Sequence, residues 1–164
     1  MFTPMKRFSI DNRASDALPM RMVVAVIAMG FLIILLSVAI SSLIEKEEIH
    51  ATEAVVSDIV AHAEQMSSRG AGSVVTLDIH IPSNARIVMG AMPDDEDAWP
   101  LDSQNYYFLI NDKQFIMVSN AFYANSMLSG CFVIGPGQHI ITLESVRDQN
   151  GKILITLDDK SQVQ

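Results

Sequence analysis

Hydrophobic and polar positions follow three successive patterns along this chain. From Met22 to Ile44 runs an uncharged, almost wholly apolar stretch of twenty-three residues. From Glu45 to Met66 the apolar residues recur at Ile49, Val55/Val56, Ile59/Val60, Ala63 and Met66, with Glu47, Asp58 and Glu64 opposite. That spacing returns to one face of a 3.6-residue helix. From Ser73 the period shortens to two: Val75, Leu77, Ile79 and Ile81 alternate with Thr76, Asp78 and His80. Alternation of this kind predicts a half-buried strand, here closed by Pro82.

The first pattern sets the architecture. At about 1.5 Å per residue, twenty-three helical residues cover the roughly 30 Å hydrocarbon core of a bilayer. No Pro or Gly separates this run from the amphipathic one, so a single helix over 19–66 is expected. It should stop at Ser67-Ser68-Arg69-Gly70-Ala71-Gly72, a small-residue hinge with two glycines. The apolar stripe of its second half is expected to dock on the following domain or on neighbouring copies.

Beyond the hinge the sequence predicts about seven short strands. Ala85–Met89 follows a Pro-Ser-Asn turn, and Tyr106–Ile110 and Gln114–Val118 flank Asn111-Asp112-Lys113. Cys131–Ile134 precedes Gly135-Pro136-Gly137, and Gln138–Val146 and Lys152–Leu157 flank an Asn-Gly hairpin turn. Ala121–Gly130 has no clear period and reads as a loop over a sheet edge. The expected fold is α+β: a long N-terminal transmembrane and amphipathic helix, then a small antiparallel β-sandwich or open-barrel head. The divisions are a leader over 1–18, the helix over 19–66, the hinge over 67–72 and the head over 73–160.

Charge orients the chain. Lys6, Arg7, Arg13 and Arg21 precede the apolar run, against Asp11 and Asp16; after Ile44 come seven basic and seventeen acidic residues, a net of −10. Short flanks rich in Lys and Arg stay cytoplasmic, so the N-terminus is expected inside and the head outside, on a cell membrane. The acidic exterior argues against nucleic acid as a partner. Cys131 is the only cysteine, so no internal disulfide is available; its apolar surroundings predict a small buried hydrophobe.

Three readings compete for residues 1–44. A secretory signal would use Ala39-Ile40-Ser41 as a poor cleavage site, and an uncleaved anchor needs nothing further. The third rests on Asn12-Arg13-Ala14-Ser15-Asp16-Ala17-Leu18-Pro19 before a long apolar helix. This arrangement resembles the class III leader of type IV pilin-like proteins, most closely archaeal pilins and archaellins. The resemblance covers about residues 12–44. It implies cleavage between Ala14 and Ser15 by a membrane leader peptidase, Arg13 preceding the cut, and a helix retained as the packing core of a filament. Pro19 fits the first helical turn, where its missing N–H costs little. Two features depart from the pattern: the glutamate of bacterial pilins near the helix start is absent, and Arg21 interrupts the mature apolar segment. A long helix followed by a β head is also the pilin-like order. On this reading Val23, Ile27, Leu35, Ile49, Val56 and Ile59 pack helices together, and the partners are membrane lipid and copies of the same or related subunits. A single-pass anchored binding module that does not polymerise is the alternative.

No residue pattern points to catalysis, a cofactor or a metal. Asp94-Asp95-Glu96-Asp97 lacks the spacing of a calcium loop and reads as a solvated loop, with a weak cation site as the alternative. Asp148-Gln149-Asn150-Gly151 is fully used by a hairpin turn. His50 and His62 are twelve apart and fall on roughly opposite helix faces, where metal binding needs His at about i, i+4. His80 and His139 lie on strands without a visible nucleophile. The head aromatics, from Tyr106 to Phe132, are expected in the core, and Trp99 is expected to cap it or meet a neighbour.

Overall fold

The computed structural model describes residues 13–111 and 113–162, with side chains from Met20 to Ser161. The chain divides into two compact units, 1–44 and 45–164. One helix, α1 (Arg13–Arg69), contributes to both.

In the first unit the apolar side chains of α1 are exposed all round, including Val23, Ile27, Phe31, Leu35 and Leu43. The helix is long and apolar enough to cross a membrane. Its polar groups close on themselves: Ser37, Ser41 and Ser42 donate their hydroxyls to the carbonyls of Ile33, Ser37 and Ala39 at 2.9, 3.0 and 2.9 Å. A serine that satisfies itself this way asks nothing of an apolar surrounding. The helix starts before the expected first turn at Pro19. Pro19 therefore sits in the second turn, where it has no N–H to offer the carbonyl of Ser15.

The second unit is a helix packed on two four-stranded sheets. The strands are β1 (Val74–Ile81), β2 (Ala85–Met89), β3 (Asn105–Ile110), β4 (Lys113–Val118), β5 (Tyr123–Asn125), β6 (Phe132–Ile134), β7 (Gly137–Arg147) and β8 (Ile153–Asp159). One sheet has the order β1-β7-β8-β5 and the other β4-β3-β2-β6. Neither closes into a barrel. Every pairing is antiparallel except β5 with β8, which is parallel.

The expected strands are present within a residue or two, and the β1 alternation holds: Ile79 and Ile81 are buried while Thr76, Asp78 and His80 are exposed. The segment expected to be only a loop, Ala121–Gly130, supplies the eighth strand. Tyr123, Ala124 and Asn125 align with Ile155, Thr156 and Leu157 of β8. Three residues are too few to show a period, so this strand exists through its partner rather than through its own pattern.

A single core joins both sheets and the helix. Val56, Ile59, Ala63 and Met66 of α1 bury against Ile79, Ile87, Phe108, Tyr123, Ile141 and Leu157. Burial repeats at 52, 56, 59, 63 and 66, alternating steps of four and three. Thr52 fills the polar place in this series with its hydroxyl satisfied, donating to the Glu48 carbonyl at 2.8 Å. The sheet turns on Gly90, whose φ is +92°. A Cβ there would stand 3.0 Å from the Tyr123 carbonyl oxygen, so the close approach of backbone to backbone requires glycine.

Candidate functional site

The residues singled out in the sequence separate into three groups. Arg13, Ala14 and Ser15 form the start of α1, and their side chains lie outside the described residues. Val23, Ile27 and Leu35 are 57%, 60% and 60% exposed. Val56 and Ile59 are buried in the head's own core, and Ile49 packs at its margin. The stripe of the second half is therefore occupied by its own domain. Among the described residues of α1, the apolar side chains of Met22–Ile44 stay exposed.

Polar ties fix the helix to the sheet at two heights. Near the start of the unit, Lys113 Nζ donates to Glu45 Oε1 at 2.6 Å. Near the end of β4, Glu64 Oε1 accepts from Ser119 Oγ at 3.1 Å and from the Asn120 backbone N–H at 2.9 Å. Ser119 in turn accepts from the Tyr123 hydroxyl at 2.9 Å. Burial, and then the nearby Glu64 charge, push the Tyr106 phenol above its ordinary value.

The acidic loop is anchored through one of its four carboxylates. Glu96 accepts from Arg86 at 3.1 and 3.2 Å and from the Tyr107 hydroxyl at 2.5 Å. This closes the loop over a second small cluster of Val88, Ala91 and Tyr107, with Leu109 and Cys131 packed beside it. Asp94, Asp95 and Asp97 stay exposed. Among the described residues, no three His, Cys, Asp or Glu side chains converge to hold a metal ion. Cys131 is half-buried rather than fully buried, because it lies beside the small outer cluster instead of inside the main core. Burial, with Glu96 nearby, pushes its thiol up, which makes it a poor nucleophile.

His139 is held through both of its ring nitrogens. It is 9% exposed. Its Nδ1 is 2.8 Å from Asp159 Oδ2 and its Nε2 is 3.0 Å from the Gly135 carbonyl oxygen. Ser161 completes a Ser–His–Asp set in composition but not in geometry. Its hydroxyl donates to Asp159 Oδ1 and lies on the same Nδ1 side as the carboxylate, at 3.5 Å. A serine nucleophile needs the other ring nitrogen as its base, and here Gly135 occupies that nitrogen. Burial pushes the Asp159 carboxyl up, but hydrogen bonds from Ser161 and His139 outweigh it and hold the group below its ordinary value. This cluster clasps the chain beyond β8 to the turn before β7.

A cleft that no sequence pattern announces lies where the 99–101 loop, the segment near Leu128 and the β7–β8 hairpin meet. Its volume is about 670 Å³. Trp99 lines it and is fixed by its indole N–H, which donates to the Tyr123 carbonyl at 3.0 Å. The hairpin contributes Arg147 and Lys152. Its turn is held by Asp148 Oδ1, which accepts the backbone N–H groups of Asn150 and Lys152, both at 2.8 Å. The cleft residues come from three segments spread over about fifty positions, which is why only the Trp99 and Asn-Gly signals were visible beforehand.

No protein-family model, no curated protein and no solved structure matches this chain.

Proposed function

We propose that this protein is a pilin-like structural subunit anchored by a single membrane-spanning helix. On this reading the N-terminus is cytoplasmic, the β-sandwich head is extracellular, and the apolar half of α1 packs with other such helices in a surface filament or membrane-bound assembly. The observation that supports it best is the division of labour within α1. Its second half is consumed by the head's own core, while Met22–Ile44 exposes an uncharged apolar surface suited to lipid or to other helices. The leader at Arg13-Ala14-Ser15 adds to this, because Pro19 leaves the helix unpaired next to the Ala14–Ser15 bond, the bond a leader peptidase of this class would cut.

The partners implied are membrane lipid, copies of this chain or of related subunits, and the leader peptidase. The acidic head disfavours nucleic acid. A second reading, a non-polymerising anchored binding module, is favoured by one observation, the cleft at Trp99.

Cysteine crosslinking within the membrane tests the assembly. With Cys131 replaced by Ser, single cysteines introduced along one face near Ile27 and Leu35 should crosslink between copies with a helical period. Leu35→Asp should abolish those crosslinks. Monomeric protein at all positions would leave the anchored-module reading in its place.

A further inference from the structure

Among the described residues, the cations of the head are unevenly employed. Arg86 is paired with Glu96 and Lys113 with Glu45, whereas Lys46, Arg69, Arg147, Lys152 and Lys160 enter no ion pair; of these, Arg147 and Lys152 meet at one cleft. Both line the cleft, and Lys152 Nζ stands 3.3 Å from the centroid of the Phe122 ring. That contact holds the ammonium in place without neutralising it. The nearest acid of the hairpin, Asp148, spends one carboxylate oxygen on two backbone N–H groups of its own turn. Asp148, Gln149 and Asn150 of the same hairpin also line the cleft, and its other side is apolar, with Trp99, Pro100, Leu101, Leu128 and Leu154. Leu101 is 89% exposed at the mouth, an apolar side chain that a bound body would cover.

A cleft of this volume with one apolar side and one polar side falls within the size of small-molecule sites, which run to about 300–1,000 Å³. With Arg147 and Lys152 against Asp148, the lining carries a net charge of +1, which favours a negative group. The net charge of −10 after Ile44 sets how much negative charge is acceptable. A polyanion meets the repulsion of the whole head, while a single charge meets chiefly the net charge of +1 that Arg147, Lys152 and Asp148 leave in the cleft. We infer that this cleft binds a small apolar monoanion, an aromatic or branched aliphatic carboxylate. Arg147 and Lys152 take the carboxylate, and Trp99, Leu101, Leu128 and Leu154 hold the apolar body. The inference is independent of helix assembly, since the cleft belongs entirely to the head.

Trp99 is the only tryptophan, so its fluorescence reports the cleft directly. The experiment titrates the full chain in a nonionic micelle with 4-phenylbutyrate, and separately with the uncharged 4-phenylbutanamide. The expected result is a saturable change in Trp99 emission with the acid and binding about tenfold or more weaker with the amide, the scale of a charge-assisted hydrogen bond. Arg147→Gln should weaken the acid by about tenfold at unchanged melting temperature, and Lys152→Gln by about tenfold with a small fall in melting temperature from the lost Phe122 contact. Leu101→Ser should weaken acid and amide alike. No saturable response to the acid, equal affinity for acid and amide, or full affinity in the Arg147→Gln/Lys152→Gln double variant would each overturn the assignment. So would a peptide bound through its C-terminal carboxylate when 4-phenylbutyrate is not bound.

Discussion

Ile59→Ala asks whether the second half of α1 is part of the head or only a stalk beneath it. Ile59 has 0% exposure and touches both the helix stripe and the sheet residues of the core. The substitution removes three carbons, worth about 2.4 kcal/mol at roughly 0.8 kcal/mol per buried CH₂. A partly collapsed cavity adds about 1 kcal/mol, for about 3–4 kcal/mol in all, within the range of Ile→Ala changes in cores. For a unit the size of this head that is a fall in melting temperature on the order of 10 °C. Ile27→Ala, at a position exposed in the apolar half, removes the same carbons and should leave head melting unchanged. The assay is thermal unfolding in a nonionic micelle, followed by Trp99 fluorescence and near-ultraviolet circular dichroism. Equal melting temperatures for Ile59→Ala and the parent would refute the packing of α1 on the sheets. An equal loss in Ile27→Ala would refute the division of the helix into two roles.

Three further outcomes follow from the same contacts. Gly90→Ala should cost on the order of 2 kcal/mol, because φ of +92° and a Cβ 3.0 Å from the Tyr123 oxygen are both unfavourable for alanine; chemical denaturation measures it, and an unchanged midpoint would contradict the close approach. Glu64→Ala should destabilise the head by about 1.5–3 kcal/mol through lost charge-assisted bonds at Ser119 and Asn120, and Glu64→Gln by less; hydrogen exchange at Asn120 and Ala121 should rise first. The Asp159 carboxyl is held below its ordinary value, so the stability it contributes is present above the ordinary carboxylate range and is lost as pH falls through its folded value. Melting of the parent and of Asp159→Asn should therefore converge in acid and diverge towards neutral pH. A gap that instead widened in acid would reverse the assigned direction.

The sequence makes the large-scale pattern of this fold legible, and the reasons are physical. A bilayer-length apolar run, a helical stripe and a period-two strand are each local signals, and α1 and β1 express them directly. Turn chemistry places the β3–β4 and β7–β8 hairpins, where Asn111 and Gly151 adopt positive φ. Long-range pairing leaves no such trace. β5 is three residues defined by a parallel partner some thirty positions away. Thr52 is polar yet buried, because its place in the helix and its backbone bond decide the matter. His139 and Asp159 meet only because β7 and β8 pair with Ile141 opposite Asp159. The cleft depends on three segments brought together by both sheets, so its cations look in the sequence like ordinary hairpin charges.

The mature N-terminus, determined by intact mass and N-terminal peptide mapping of protein taken from its native membrane, tests the proposed function most directly. The account predicts a chain beginning at Ser15, cut from its leader with the apolar helix retained. A chain still beginning at Met1 would contradict the pilin-like reading and leave a plain anchor, and one beginning near Ser42 would contradict the anchor itself.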